Sequence, residues 1–178
     1  THVTISGNTA SSWGGGMYLH SANPTLTHVT IAGNTADSGG VMYARYSNPT
    51  LTNSILWNNG SESIYLYSNE EPVITYSDIE GSWEGEGNID ADPLFIDTEN
   101  GDYSLQEGSP CIDAGIIIED MEYYGIAPDM GAFEFIGVSM LGDLNGDDII
   151  NILDIITLLN MVIAGDSYDS QADLNSDG

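Results

Sequence analysis

The sequence Thr-His-Val-Thr-Ile-x-Gly-Asn-Thr-Ala occupies residues 1–10 and returns at residues 27–36, changed only at its sixth position. A looser copy, Thr52-Asn53-Ser54-Ile55-Leu56-Trp57-Asn58-Asn59, follows, and a fourth trace begins at Thr75, so the starts lie 26, 25 and 23 residues apart. A repeat in the twenties of residues is too short to enclose a core by itself. Each unit buries its apolar side only by stacking on its neighbours, which is the condition of a solenoid.

Aligning the units shows what each column contributes. Ile5, Ile31, Leu56 and Ile79 fall in one column, and Leu26, Leu51 and Ile74 in another. A further strand in each unit alternates with period two. Met17 and Leu19, Met42 and Ala44, and Ile64 and Leu66 point one way, while Tyr18, Tyr43 and Tyr65 point the other. The first set is assigned to the core and the tyrosines to an outward ladder. Asn8, Asn34 and Asn59 form a second ladder at a turn, and Pro24, Pro49 and Pro72 mark a corner that needs no ladder donor.

Leu26-x-x-Val29-x-Ile31-x-x-Asn34 also fits a leucine-rich repeat, which returns through a helical turn. Here the return carries Gly39-Gly40, an alternating strand and Asn48-Pro49, which do not suit a helix. The arrangement resembles the right-handed parallel β-helix repeats of bacterial extracellular proteins. Handedness follows from that resemblance and from the bias of parallel crossovers. Asn88-Ile89-Asp90-Ala91-Asp92-Pro93-Leu94-Phe95, with later Gly- and Asp-rich turns around Cys111 and Asp129, resembles the closing region of such proteins. Phe95, Tyr103, Leu105, Ile112 and Phe133 are expected there to cover the open edge and core of the stack.

The charge balance limits partners. One Lys or Arg, Arg45, stands against 28 Asp and Glu, a formal charge of −27. Nucleic acid and anionic membranes are repelled on Coulomb grounds, as are acidic polysaccharides unless a cation bridges them. Such a surface suits salty or calcium-containing surroundings, where screening shortens the repulsion. Cys111 is the only cysteine, so no internal disulfide forms, and the histidines, His2, His20 and His28, all lie in the repeats. Cys111 therefore reads as a small core residue rather than a nucleophile. No apolar run is long enough to span a bilayer. Because residue 1 falls inside a repeat, the sequence reads as the C-terminal part of a longer protein.

Several residues invite a binding or catalytic role. Trp13, with Trp57 and Trp83 expected near the same column, offers either a sugar-stacking platform or a cover over a glycine-rich turn. Asp113 and Asp129 read as turn carboxylates bonding nearby amides rather than as an acid/base pair.

The stretch with the most specific chemistry is Asp143-Leu144-Asn145-Gly146-Asp147-Asp148-Ile149-Ile150-Asn151-Ile152-Leu153-Asp154. Oxygen ligands from Asp143, Asn145, Asp147, Asn151 and Asp154 fall at loop positions one, three, five, nine and twelve. The Ile149 carbonyl falls at seven, completing the ligand order of an EF-hand loop for Ca²⁺. Position six holds Asp148 where glycine is usual. Asp at position twelve with apolar residues at seven and eight resembles type I dockerin modules. Asp154, Thr157 and Asn160 mark one polar stripe on an otherwise apolar helix from about residue 152 to 164. Asp173, Asn175 and Asp177, followed by Gly178, open a second such loop, as the two halves of a dockerin would imply.

The expected fold is therefore mainly β. A right-handed parallel β-helix over residues 1–100 is followed by an irregular C-terminal cap (101–136), a linker (137–141) and an incomplete, small α-helical calcium-loop module (142–178). The resemblance implies a secreted or cell-surface bacterial protein that docks to a cohesin-like partner and contacts carbohydrate. The alternative is a fragment of a β-helix lyase or glycosidase whose active site lies elsewhere. No catalytic residue is assigned: Arg45 alone cannot both abstract a proton and neutralise a uronate, and no carboxylate pair stands out.

Overall fold

The computed structural model describes residues 1–60, 63–136 and 152–164, the last four by backbone alone. They fall in two compact units, Thr1–Phe135 and Ile136–Gly178. In the first unit each repeat is one coil of three short strands. The first coil holds β1 (Val3–Ser6), β2 (Met17–His20) and β3 (Thr25–Thr27). The second holds β4 (Val29–Ala32), β5 (Met42–Arg45) and β6 (Thr50–Thr52), and the third β7 (Ile55–Trp57), β8 (Ile64–Leu66) and β9 (Val73–Thr75). β10 (Asp78–Ile79) begins a fourth. Equivalent strands pair in parallel, giving three sheets ordered β1-β4-β7-β10, β2-β5-β8 and β3-β6-β9.

The pairing reproduces the sequence columns. Ile5 stands over Ile31, Ile31 over Leu56 and Leu56 over Ile79, while Leu26, Leu51 and Ile74 align in the third sheet. Ile31, Met42, Leu51, Leu56, Ile74 and Ile79 form one buried cluster inside the coils. Apolar burial on alternate residues of all three sheets is what holds so thin a stack together.

The asparagine ladder lies inside its turn rather than on the surface. Asn34 and Asn59 are buried. The Asn34 amide N–H donates to Asn59 Oδ1 at 3.0 Å, and Asn34 Nδ2 donates to the same oxygen at 3.0 Å and to the Ile5 carbonyl at 2.8 Å. Each side chain thus satisfies backbone groups of two coils where the strand ladder is interrupted. The backbone runs so close here that a Cβ on Gly40 would lie 1.5 Å from the Asn59 carbonyl oxygen, so only glycine fits. At the corner between the third and first sheets, His2, His28, Asn53 and Tyr76 all take φ near +50° (52, 50, 51 and 49°). The rings of His2 and His28 stack there at 5.0 Å.

The segment after β10 divides its work differently from the sequence expectation. Trp83 packs against the interior cluster, and Asn88 Nδ2 donates to the Ile74 carbonyl at 2.8 Å, so the loop around residues 81–88 covers the end of the stack. The rest, including the antiparallel hairpin β11 (Phe95–Asp97) and β12 (Asp102–Leu105), lies along the outer face of the first sheet. Ile55, Leu105, Cys111 and Met130 form a second buried cluster there, with Phe95 and Ile112 against it. Ala132 N donates to Thr30 Oγ1 at 3.0 Å, and Gly131 N to the Asn53 carbonyl at 2.9 Å. Ile55 sits at the alternate, outward position of β7, and its apolar side chain marks this outer face for covering. Phe133, assigned to that cover from sequence, is instead 45% exposed.

In the second unit the described element is the helix α1 (Ile152–Ala164), with Asp154 in its first turn. No described helix is long and apolar enough to cross a membrane. Asp143, Asn145, Asp147, Ile149, Asn151, Asp173, Asn175 and Asp177 lie outside the described residues.

Candidate functional site

The outward face of β2-β5-β8 gathers most of the aromatic side chains of the coils. Tyr18, Tyr43 and Tyr65 share one column of the parallel register, and His20 and Arg45 share the next. Because strands of one sheet stand about 4.8 Å apart, identical rings in register stack: Tyr18 and Tyr43 lie 5.2 Å apart with planes 3° from parallel, and Tyr43 and Tyr65 5.1 Å apart at 3°. Trp13 flanks the ladder, 5.6 Å from Tyr43 and 6.5 Å from Tyr18. Beyond the other column, Tyr46 and Tyr67 meet edge to face at 6.1 Å.

Arg45, the one Lys or Arg in the chain, lies between these rings. Its Cζ is 4.6 Å from the Tyr67 centroid and 5.2 Å from that of Tyr46, within cation–π range. Its Nε is buried and has no hydrogen-bond partner among the described residues. Tyr43 is outward in register yet buried, since its neighbours cover both faces of its ring. Burial first, then the flanking Tyr18 and Tyr65 hydroxyls, hold its hydroxyl pKa above the usual tyrosine value. Trp13, Tyr18, Tyr46 and Tyr67 are each about half exposed. The result is a flat aromatic surface with a single fixed cation.

Trp57 and Trp83 do not join this face. Trp57 ends β7 in the first sheet and Trp83 plugs the stack, because their positions in the coil differ from that of Trp13 by whole strands. Tyr46, Tyr67 and His20 were not singled out from sequence. The alternation that places Tyr65 outward also places Tyr67 outward, two residues on, and was the available signal.

The other candidates take structural roles. Cys111 is fully buried and its thiol donates to Asp78 Oδ2 at 3.2 Å. Burial, then the Asp78 charge, push its pKa up, away from a reactive thiolate. Asp113 Oδ1 accepts from the amides of Ile126 (2.9 Å) and Ala127 (3.1 Å), while Asp129 accepts from Asp113 N at 2.8 Å and from Phe135 N. Both carboxylates tie turns of the cap together. Among the described residues no group of three or more His, Cys, Asp or Glu side chains is arranged to hold a metal ion. Asp154, of the assigned calcium ligands, is described: it is buried although Ile152, Leu153, Ile155 and Ile156 around it are exposed.

Residues 1–85 match the family model described as the right handed beta helix region. With three coils of parallel strands over the same residues, this part of the chain is a right-handed parallel β-helix repeat. No curated protein and no solved structure matches the chain.

Proposed function

We propose that the chain is a non-catalytic, secreted or cell-surface β-helix scaffold whose outer aromatic face binds carbohydrate, and whose C-terminal module binds Ca²⁺ and docks to a cohesin-like partner. The observation that carries the binding reading is the ladder of Tyr18, Tyr43 and Tyr65 with Trp13 beside it. Sugar rings present C–H faces that pack on aromatic planes, and a flat array spaced by the coil repeat suits an extended polymer more than a small molecule. Arg45 adds N–H groups that can donate to a hydroxyl or carboxylate oxygen of the glycan.

Calorimetry with a panel of neutral and acidic glycans is expected to find at least one ligand. Trp13→Ala and Tyr18→Ala, at half-exposed positions, should each weaken it about five- to tenfold. No binding across the panel, or binding indifferent to both substitutions, overturns the assignment. Release of reducing ends or unsaturated products that disappears on replacing one acid would show an enzyme instead.

The calcium reading rests on the order of oxygen ligands in the loop and on the buried Asp154 at the start of α1. Asp143, Asn145, Asp147, the Ile149 carbonyl, Asn151 and Asp154 would hold the ion, with Asp173, Asn175 and Asp177 opening the second loop. A hard cation takes six to eight such oxygens, and its charge offsets the repulsion among the carboxylates. Calcium titration is expected to give saturable heat at about micromolar to millimolar ion and a gain in helical circular dichroism. Asp154→Ala should lose most of the affinity, and Asp148→Gly should keep or improve it. Acid should weaken binding as the ligands protonate. No heat at millimolar calcium with the unaltered chain would end this reading.

A further inference from the structure

The turn after the first sheet and the β11–β12 hairpin line an open cleft of about 600 Å³. This is within the size range of small-molecule sites. Trp57, Phe95 and Tyr103 supply aromatic wall, and Glu80, Asp92 and Glu99 supply carboxylates; no basic side chain lines it. Tyr103 is 7% exposed and packs edge-on against Phe95 at 5.2 Å. Among the described residues its hydroxyl has no hydrogen-bond partner, and it lies 3.9 Å from where a Cβ on Gly33 would stand, at the glycine-lined floor. The ring is buried, while the hydroxyl opens into the cleft and is not committed to a protein partner. Here it faces a space large enough for a ligand.

The carboxylates are partly committed to the backbone. Glu80 Oε2 accepts from Asn58 N at 2.7 Å, and Asp92 Oδ1 from Leu94 N at 3.0 Å, which leaves the second oxygen of each for a ligand. Three acids without a base repel one another and repel anions. Aromatic faces beside them attract a cation and pack against an apolar stem. We propose that this cleft is a second binding site, for a primary ammonium group on a small carrier. An amino sugar or an alkyl diamine has that chemistry. The formal charge of −27 raises the local concentration of such ligands.

Calorimetry on the full chain at about 0.15 M salt, where diffuse attraction is screened, tests this with glucosamine trimer, its N-acetylated counterpart and cadaverine. Saturable one-to-one binding of the glucosamine trimer alone identifies an amino-sugar site. Binding of cadaverine alone identifies an alkylamine site, and binding of both means that the ammonium group suffices. N-acetylated trimer binding as tightly as the free amine, or no binding of any probe, overturns the proposal. Glu80→Gln keeps an acceptor for Asn58 N but removes the charge, and should cost tenfold or more in affinity. Tyr103→Phe should weaken binding several-fold. Glu119→Gln, outside the cleft, should leave it unchanged. Equal losses in Glu80→Gln and Glu119→Gln would mark non-specific charge attraction and overturn the site.

Discussion

Ile31→Asp is expected to unfold the coils. Ile31 is fully buried in the middle coil, with Ile5 and Leu56 above and below it in the same column. The substitution removes a large apolar side chain and leaves a carboxylate with no partner in a dry interior. The combined cost is about 4–5 kcal/mol or more, a large part of the 5–15 kcal/mol typical of a domain. Because each coil is supported only by its neighbours, the loss spreads along the stack. Tyr18→Ser is the comparison. That ring is half exposed and has a stacking neighbour on one face, so its loss should cost about 1 kcal/mol. Urea unfolding followed by circular dichroism measures both. Similar midpoints for the two variants would mean that the inward and outward columns are misassigned.

Protonation of Asp78 is expected to stabilise the coil unit. Asp78 is fully buried in the outward column of the first sheet, accepting from Ala91 N at 3.1 Å and from the Cys111 thiol. Burial outweighs these bonds and raises its pKa from 3.8 to about 6. A carboxyl raised in the folded state favours folding when protonated. Its contribution is complete below the unfolded pKa and is lost as pH rises through the folded one. A shift of this size corresponds to roughly 3 kcal/mol at pH 7, of which about 2 kcal/mol should return on acidification to about pH 4.5. Asp129 and Glu134 are raised as well, each chiefly by burial, and act in the same direction. His28, lowered chiefly by burial, opposes them, as do Glu70, held low despite its burial by bonds from Ser68 and the Tyr46 amide, and Asp97, held low by bonds from Asn100. The Asp78 contribution is therefore read from the difference between the unaltered chain and a variant.

Asp78→Asn should therefore be more stable than the unaltered chain at pH 7, with a flatter stability profile between pH 7 and 4.5. Equal slopes for the two proteins, or a less stable variant at pH 7, would remove Asp78 from this role. If the C-terminal module holds Ca²⁺ as proposed, its response to acid is opposite to that of Asp78, since its ligands must be ionised to bind.

The coils were legible because a stacked repeat writes its contacts as columns. Ile5, Ile31, Leu56 and Ile79 could be aligned by eye and are neighbours in space. The cap was less legible because its contacts pair residues far apart with no period: nothing local in Ala132 points to Thr30, or in Cys111 to Asp78. The same limit hid the cleft, whose Trp57 and Tyr103 belong to different layers. The aromatic face was half visible, through Tyr18, Tyr43 and Tyr65. Arg45 and Tyr67, each two residues after a ladder tyrosine, follow from the same alternation, whereas Tyr46 joins the face through side-chain packing that alternation does not specify.

The unequal coils carry a further consequence. Thr9 pairs with Thr35 but Trp13 with Ser38, so the first arc is one residue longer than the second. Eight residues lead from Asn34 to Met42 but five from Asn59 to Ile64, although both ends stay aligned. The corner from Thr27 to Thr30, or Thr52 to Ile55, never changes length. Variation in length is thus confined to particular arcs, and the arc between the asparagine turn and the second sheet, which carries Trp13 at the rim of the aromatic face, takes most of it. Loop grafts placed there should alter what the face touches while the stack beneath keeps its register, whereas a single residue added at the tight corner would slide every strand that follows.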